Sequence, residues 1–206
     1  MEAEDRQAHW ERVYSTKGER EVSWFEDTPT LSVGLIRDAG VGKEAAIIDV
    51  GGGASRLVDC LLSDGQAHVT VLDLSASALE ISKARCGQND HASWIVGDAT
   101  TWLPDRPYDL WHDRAAFHFL TAADDQKRYV SVLKKALRKG GVAIIGTFAT
   151  DGPGKCSGLD VVRYDGDGLK AVFGSGFELM ALQRHSHTTP SGSIQQFLFG
   201  VFRRIA

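Results

Sequence analysis

Short apolar runs bounded by Gly, Asp or Pro alternate along the chain with stretches in which apolar residues recur every three or four positions. The runs predict strands at Ala46 to Val50, Val69 to Asp73, Trp94 to Val96, Asp109 to His112 and Val142 to Thr147. Between them, Leu57, Val58, Leu61 and Leu62 recur at helical spacing, and Ser75 is placed to cap a helix through Arg85. Tyr129, Leu133 and Leu137 share a helical face that is expected to stop at Gly140-Gly141. This alternation predicts a doubly wound α/β domain with a mostly parallel sheet. The last third differs: a helix from about Asp165 to Phe173, then strands at Phe177 to Leu182 and Gln196 to Phe202, joined by the polar "QRHSHTTPSGSI". A strand–loop–strand connection predicts an antiparallel pair. Both faces of "FLFGVF" are apolar, so that last strand is expected inside the sheet and not at its edge.

Composition narrows the reading. The 206 residues, 43% of them hydrophobic, suit one domain with one core, and a formal charge of -4 argues against a general nucleic-acid binder. The start, "MEAEDRQAHWERVY", is charged and helical in pattern without the apolar core of a signal peptide. No stretch approaches 18 apolar residues, so a soluble cytoplasmic protein with no membrane partner is expected. Cys60, Cys86 and Cys156 lie far apart with no C-x-x-C pair, which predicts free thiols, no disulfide framework and no metal site. Nothing in the sequence sets an oligomeric state.

The stretch "IIDVGGGASR", Ile47 to Arg56, carries the first candidate chemistry. A dinucleotide site needs G-x-G-x-x-G, and Arg56 stands where the third glycine would be; a phosphate-binding P-loop fails for want of Gly-Lys-Ser/Thr. A ligand that approaches the glycine backbone closely and carries an ammonium fits, with Asp49 to meet the cation. On these residues the chain resembles the class I S-adenosylmethionine-dependent methyltransferases, whose first motif, acid-x-G-x-G-x-G, stands here as Asp49-x-Gly51-x-Gly53-x-Ser55. Asp73 ends the next strand, "VTVLDLS", 24 residues after Asp49, where an acid can accept hydrogen bonds from both hydroxyls of a ribose. Gly97-Asp98 ends the third strand, "WIVGDAT", and the resemblance implies that Asp98 meets the exocyclic amine of adenine, with Leu74 and Ala99 in the same cofactor set. "LRKGGVAII" looks like the family's turn into its fifth strand. The order of four motifs on consecutive β/α units implies S-adenosylmethionine as cofactor, although singly a strand-end aspartate often only caps a helix.

A narrower resemblance covers the first 120 residues. "HWERVY" and "VSWFED" are similar to the amino-terminal signature of a branch that includes the elongation-factor lysine methyltransferases. That match implies that Trp10, Tyr14 and Trp24 contact the cofactor, whose sulfonium and adenine both favour aromatic faces; core packing is the plainer alternative. The branch also carries an acid–base pair after the fourth strand, matched by Asp113-Arg114 in "YDLWHDRAAFHFL", which implies Arg114 near the methionine part of the cofactor, where a guanidinium could hold a carboxylate. His118, His112 and Asp113 are the candidate catalytic groups. The two histidines are candidates for taking the acceptor's proton, one of them being expected only to hold structure.

The resemblance divides the chain into a cap over the cofactor (1–44), a cofactor-binding core (45–148), and an acceptor lid with C-terminal strands (149–206). In the lid, "TFATDGPGKCSGLDVVRYD", the side chains of interest are Cys156, Arg163 and Tyr164. Methyl transfer from a sulfonium is an in-line displacement in which the protein aligns the nucleophile and removes water, so no catalytic triad or metal is required. Short inserts between motifs, and a likeness of the segment after strand four to small thiol and halide methyltransferases, favour a small-molecule acceptor, a thiol leading. A protein lysine is the alternative, and a non-catalytic S-adenosylmethionine-binding regulatory subunit a third reading.

Overall fold

The computed structural model describes residues 3–206. Helix α1 (Ala3–Thr16) and helix α2 (Thr30–Asp38) precede the first strand. Then β1 (Ala46–Val50), α3 (Leu57–Ser63), β2 (His68–Asp73), α4 (Ala76–Cys86), β3 (Ala92–Val96), β4 (Tyr108–Arg114), α5 (Ala123–Ala136) and β5 (Leu137–Phe148) follow in order. The chain continues through a two-residue hairpin pair, β6 (Lys155–Cys156) and β7 (Leu159–Asp160), then α6 (Gly166–Phe173), β8 (Phe177–Thr188) and β9 (Ile194–Arg204).

Seven strands form one sheet in the order β3-β2-β1-β4-β5-β9-β8. The first five pair in parallel, and β9 runs antiparallel to both β5 and β8. The order reverses between β1 and β4, and an open α/β sheet leaves its crevice at the carboxyl ends of the strands at such a switch point. Alternation along β1 feeds two cores. Ile48 and Val50 pack with Trp111, Tyr129, Leu133 and Phe202, whereas Ile47 packs on the other face with Leu57, Val71, Leu110 and Phe197. Trp111 and Tyr129 are fully buried, yet the indole N–H donates to the Tyr129 hydroxyl at 2.8 Å, so their polar ends go in satisfied.

Ser75 caps α4, its hydroxyl accepting from the Ala78 N–H at 3.1 Å. The hydroxyl also donates to Glu11 of α1 at 2.8 Å, and the Glu11 carboxylate accepts from the Ser77 N–H at 3.3 Å. An acid at the first turn of α4 suits the helix dipole and fastens α1 across the carboxyl edge of the sheet. The two first residues of the predicted amino-terminal helix lie outside the described residues.

Several boundaries differ from expectation: β4 and β9 are longer at both ends than their apolar runs, and β5 starts five residues before Val142. Leu137 is the first residue of β5 and not part of the helical face of Tyr129 and Leu133, because α5 ends at Ala136. The third strand starts at Ala92, two residues earlier than Trp94. The polar "QRHSHT" belongs to β8, which runs on through Thr188 to pair with Ile194. As the edge strand it needs no apolar alternation, and most of its side chains are exposed. The strand that carries "FLFGVF" lies between β5 and β8, inside the sheet.

Candidate active site

The crevice at the carboxyl ends of β1, β2, β3 and β4 holds a cavity of about 810 Å³ including its open mouth. Its floor depends on two glycines in the left-handed region. Gly51 has φ 68°, and a Cβ there would stand 2.5 Å from the Ala116 Cβ; Gly53 has φ 40°, and its Cβ would stand 2.8 Å from Asp73 Oδ2. A side chain at Gly51, which lines the cavity, would displace Ala116 from its wall, and one at Gly53, which lies behind the lining, would press on Asp73.

Asp73, Leu74, Asp98 and Ala99 all line this cavity. Asp73 ends β2 and accepts from the Ser75 N–H at 2.8 Å; burial pushes its carboxyl up to about 7. Asp98 is worked in both directions. Burial raises it, but the Thr100 N–H and hydroxyl, each at 2.7 Å, and the Arg6 guanidinium at 3.0 Å outweigh burial and hold it below the usual carboxylate range. Arg6 also meets Asp125 at 3.0 Å, so α1 is tied to both the turn after β3 and α5 over the cavity.

Trp10, Tyr14 and Trp24 line the same space with Phe119. Trp10 stands edge-on to Trp24 at 5.6 Å and to Phe119 at 4.9 Å between centroids. The Trp24 indole donates to the Tyr14 hydroxyl at 3.0 Å, and burial raises the Tyr14 phenol. Arg114, at the end of β4, donates from Nη1 to the Trp24 carbonyl at 2.9 Å and sets Nη2 3.1 Å from Glu26 Oε1. Burial lowers the Arg114 pKa, and Glu26 works to restore it.

A second space of about 580 Å³ adjoins the first across Tyr14, Trp24, Gly51 and Arg114. It is lined by Asp49, Ser32 and His112 among others, and Asp49 is 3% exposed with Oδ1 2.7 Å from His112 Nδ1.

None of the three candidate catalytic groups lines the main cavity. His112 opens only onto the second space, held between Asp49 and Ser32 Oγ at 2.9 Å. Asp113 is turned into the core, where it accepts from the Ala116 N–H at 2.9 Å, the Phe117 N–H at 3.1 Å and the Tyr129 hydroxyl at 2.6 Å. Burial pushes it up to about 6, and its bonds anchor a turn in which Ala115 has φ 69°. His118 is 0% exposed and lines neither space. The 3₁₀ turn Phe117–Phe119 aims Phe119 at the cavity and His118 into the sheet, against Phe148 at 4.7 Å. Its Nδ1 accepts from the Phe148 N–H at 3.3 Å, and burial pushes the ring down to about 3, which keeps it neutral.

Of the lid residues, Cys156 reaches the cavity, with its thiol pushed up to about 11 by burial. Arg163 is exposed and donates to the Gly152 carbonyl at 3.3 Å, and Tyr164 is buried against Phe117 and accepts from Gln126 at 3.1 Å. Neither lines the cavity. Sequence reasoning missed Arg6, Phe119 and the cluster around Glu26. His187 donates from Nε2 to the Ser23 carbonyl at 2.7 Å, which leaves Nδ1 facing Glu26 Oε1 at 3.3 Å, and His185 Nε2 stands 3.7 Å from the same oxygen. The spacing of two between the histidines puts them on one face of a strand, a signal hidden by reading that stretch as a loop. One ligand atom from each of Glu26, His185 and His187 falls within 4.8 Å of the others. Nη2 of Arg114 stands 3.1 Å from the same carboxylate oxygen, so a cation already faces this group.

Residues 47–141, just under half of the chain, match the family model described as methyltransferase domain. A malonyl-[acyl-carrier protein] O-methyltransferase of Ilyobacter polytropus is 29% identical over 110 residues, which span 53% of this chain and 40% of that protein. A trans-aconitate 2-methyltransferase of Rhizobium rhizogenes is 32% identical over 123 residues, 59% of this chain and 46% of the relative. The match therefore spans less than half the length of these curated relatives. Among solved structures, an N-methyltransferase of Bradyrhizobium japonicum bound to S-adenosyl-L-homocysteine superposes with a TM-score of 0.75 at 16% identity, covering 94% of this chain and 97% of that one. The fold is that of the class I S-adenosylmethionine-dependent methyltransferases.

Proposed function

We propose that this chain binds S-adenosylmethionine in the crevice at the carboxyl ends of β1 to β4 and transfers its methyl group to a small-molecule acceptor. The observation that carries the reading is the convergence of Asp73, Asp98 and the Cβ-free backbone of Gly51 on one cavity that the aromatic side chains of an amino-terminal helix and strap close over. Asp73 would accept both ribose hydroxyls, Leu74 and Ala99 would flank adenine, and Asp98, already partnered by Arg6, would offer its remaining acceptor capacity to the adenine amine. The second space takes the methionine end, with Asp49 toward the ammonium. In this reading residues 1–44 form a cap, 45–148 the cofactor-binding core, and 149–206 a lid with the C-terminal strands.

The cofactor supplies the electrophilic methyl when bound, and the chain's own work is placement. Trp10, Tyr14 and Trp24 exclude water and offer ring faces to the sulfonium, while Arg114 sits at the junction of the two spaces. A small acceptor, with a thiol as the leading candidate, suits the closed aromatic wall. Protein lysine methylation is the second reading, favoured by "HWERVY" and "VSWFED", whose aromatic residues Trp10, Tyr14 and Trp24 do line the cavity. The test is incubation of the purified protein with methyl-labelled S-adenosylmethionine and cell extract, followed by mass spectrometry. Label in small metabolites supports the lead, label on lysine supports the second reading, and cofactor binding without label leaves a regulatory subunit.

A further inference from the structure

Once the ribose and adenine contacts are set aside, together with Arg6, which is paired with Asp98 and Asp125, the main cavity keeps an apolar wall of Trp10, Trp24, Phe119 and Cys156 with the guanidinium of Arg114 set into it. That charge is only partly spent. Nη1 is fixed by the Trp24 carbonyl, but Nη2, although 3.1 Å from Glu26, makes no aligned hydrogen bond and keeps donor capacity. The counter-ion is shared, since the same Glu26 oxygen faces His187 Nδ1 at 3.3 Å and His185 Nε2 at 3.7 Å. Beyond Glu26, which is ionised, the Cys156 thiol and the Tyr14 phenol line the cavity with Arg114, and burial keeps both neutral at physiological pH. The histidines expected to act as base open elsewhere or nowhere.

Resting on the methyl-transfer reading, we propose that the acceptor enters this site already as an anion, with its charge met by Nη2 of Arg114, having lost its proton to solvent beforehand. The chemistry balances without a base. A lone pair of the anion forms the bond to the methyl carbon as the carbon–sulfur bond breaks, the bonding pair stays on sulfur, and no proton moves. One negative and one positive charge are lost together, so stripping water from both ions within an aromatic wall favours the transition state over the separated ions. Thiolates, carboxylates and halides share this chemistry; an alkylamine, protonated at neutral pH, does not.

The experiment uses the full chain with labelled S-adenosylmethionine and four probes at neutral pH: iodide, thiophenol, benzoate and butylamine. Iodide has no proton to lose, and the other two anions distinguish sulfur from oxygen as the nucleophile. We expect methylation of at least one anion and none of butylamine. Arg114→Gln should lower kcat/KM for that anion by about tenfold or more while leaving cofactor affinity by calorimetry within about twofold, and Arg114→Lys should restore part of the loss. Glu26→Gln, which removes the competing carboxylate, should lower the KM for the anion. Cofactor binding with turnover of butylamine alone, or of none of the probes, would overturn the inference. So would a loss in Arg114→Gln that falls wholly on cofactor affinity, which would assign Arg114 to the methionine carboxylate. Absence of binding to both S-adenosylmethionine and S-adenosylhomocysteine would remove the underlying reading and this inference with it.

Discussion

His112 stands between a group of β1 and a group of α2: its Nδ1 lies 2.7 Å from Asp49 Oδ1 and its Nε2 2.9 Å from Ser32 Oγ. A carboxylate is acceptor-only, so the ring donates from Nδ1, and Asp49 is left with Oδ2 to offer a ligand. In the proposed reading the histidine therefore serves the cofactor end, by orienting Asp49. His112→Ala is expected to weaken S-adenosylmethionine binding by about 1–3 kcal/mol, because a buried carboxylate loses its partner. It should leave turnover at saturating cofactor within a few-fold of wild type. Calorimetry paired with kcat measures the split; a large loss in kcat with unchanged affinity would return His112 to a catalytic role.

Asp73 is proposed to hold the ribose of the cofactor, and its burial also links the stability of the fold to pH. Asp73→Asn should weaken S-adenosylmethionine and S-adenosylhomocysteine alike by about 1–3 kcal/mol, since ribose hydroxyls lose an acceptor that both ligands use. Burial raises the folded-state carboxyl from 3.8 to about 7, so the folded protein holds this proton more tightly than the unfolded chain. Its contribution to stability is full below pH 4 and is lost as pH rises toward 7. Buried Asp113, raised to about 6, acts in the same direction. The difference in melting temperature between Asp73→Asn and wild type, both without ligand, should therefore grow in the variant's favour between about pH 4 and pH 7. A constant difference would show that Asp73 is not the group titrating.

Trp24 joins two functions in one residue: its ring lines the cavity and its carbonyl holds Arg114. Because the carbonyl survives substitution, Trp24→Phe should remove the hydrogen bond to Tyr14 and part of the ring face while keeping Arg114 in place. A drop in cofactor affinity of about 0.5–2 kcal/mol is expected, with the apo melting temperature largely kept. Tryptophan fluorescence of the wild type should change on titration with S-adenosylhomocysteine, and that change should shrink in the variant. Loss of apo stability with unaltered affinity would make Trp24 a packing residue.

Much of the fold was legible because its signals are local. Apolar runs ending at Asp49, Asp73 and Val96 mark strands whose burial forces the pattern, and Ser75 caps the helix it precedes. Edge strand β8 was read short because exposure on its outer side removes the apolar alternation that signals a strand. Within the site, the motif spacing led to Asp73, Asp98 and Gly51, since each sits at a strand end whose position the sheet fixes. The orientation of side chains in "HDRAAFHF" was not legible. A single 3₁₀ turn and the left-handed Ala115 decide which of His118 and Phe119 faces the cavity, and neither leaves a periodic trace. The Glu26 cluster depends on contacts 159 and 161 residues apart in sequence, beyond any local pattern.

His118 offers the sharpest separation of a structural from a catalytic histidine. It is wedged between Phe119 and Phe148 with Nε2 unpartnered, and burial depresses its pKa from 6.5 to about 3. The unfolded chain takes up a proton at pH values where the folded protein refuses it. The stability contributed by this site is therefore fully present above pH 6.5 and declines as pH falls toward 3. His118→Phe removes that proton uptake and an unsatisfied nitrogen, at the cost of the weak bond from the Phe148 N–H and of extra volume in a packed core. The variant's melting temperature should depend less on pH between 6.5 and 4 than that of the wild type, and the pH profile of kcat should keep its shape. A general base would behave oppositely: its removal would lower kcat about 10²-fold near neutral pH and less at high pH, where the acceptor ionises unaided. Finding that second pattern, with acid stability unchanged, would place the His118 ring in the reacting assembly and require the turn from Phe117 to Phe119 to open in solution.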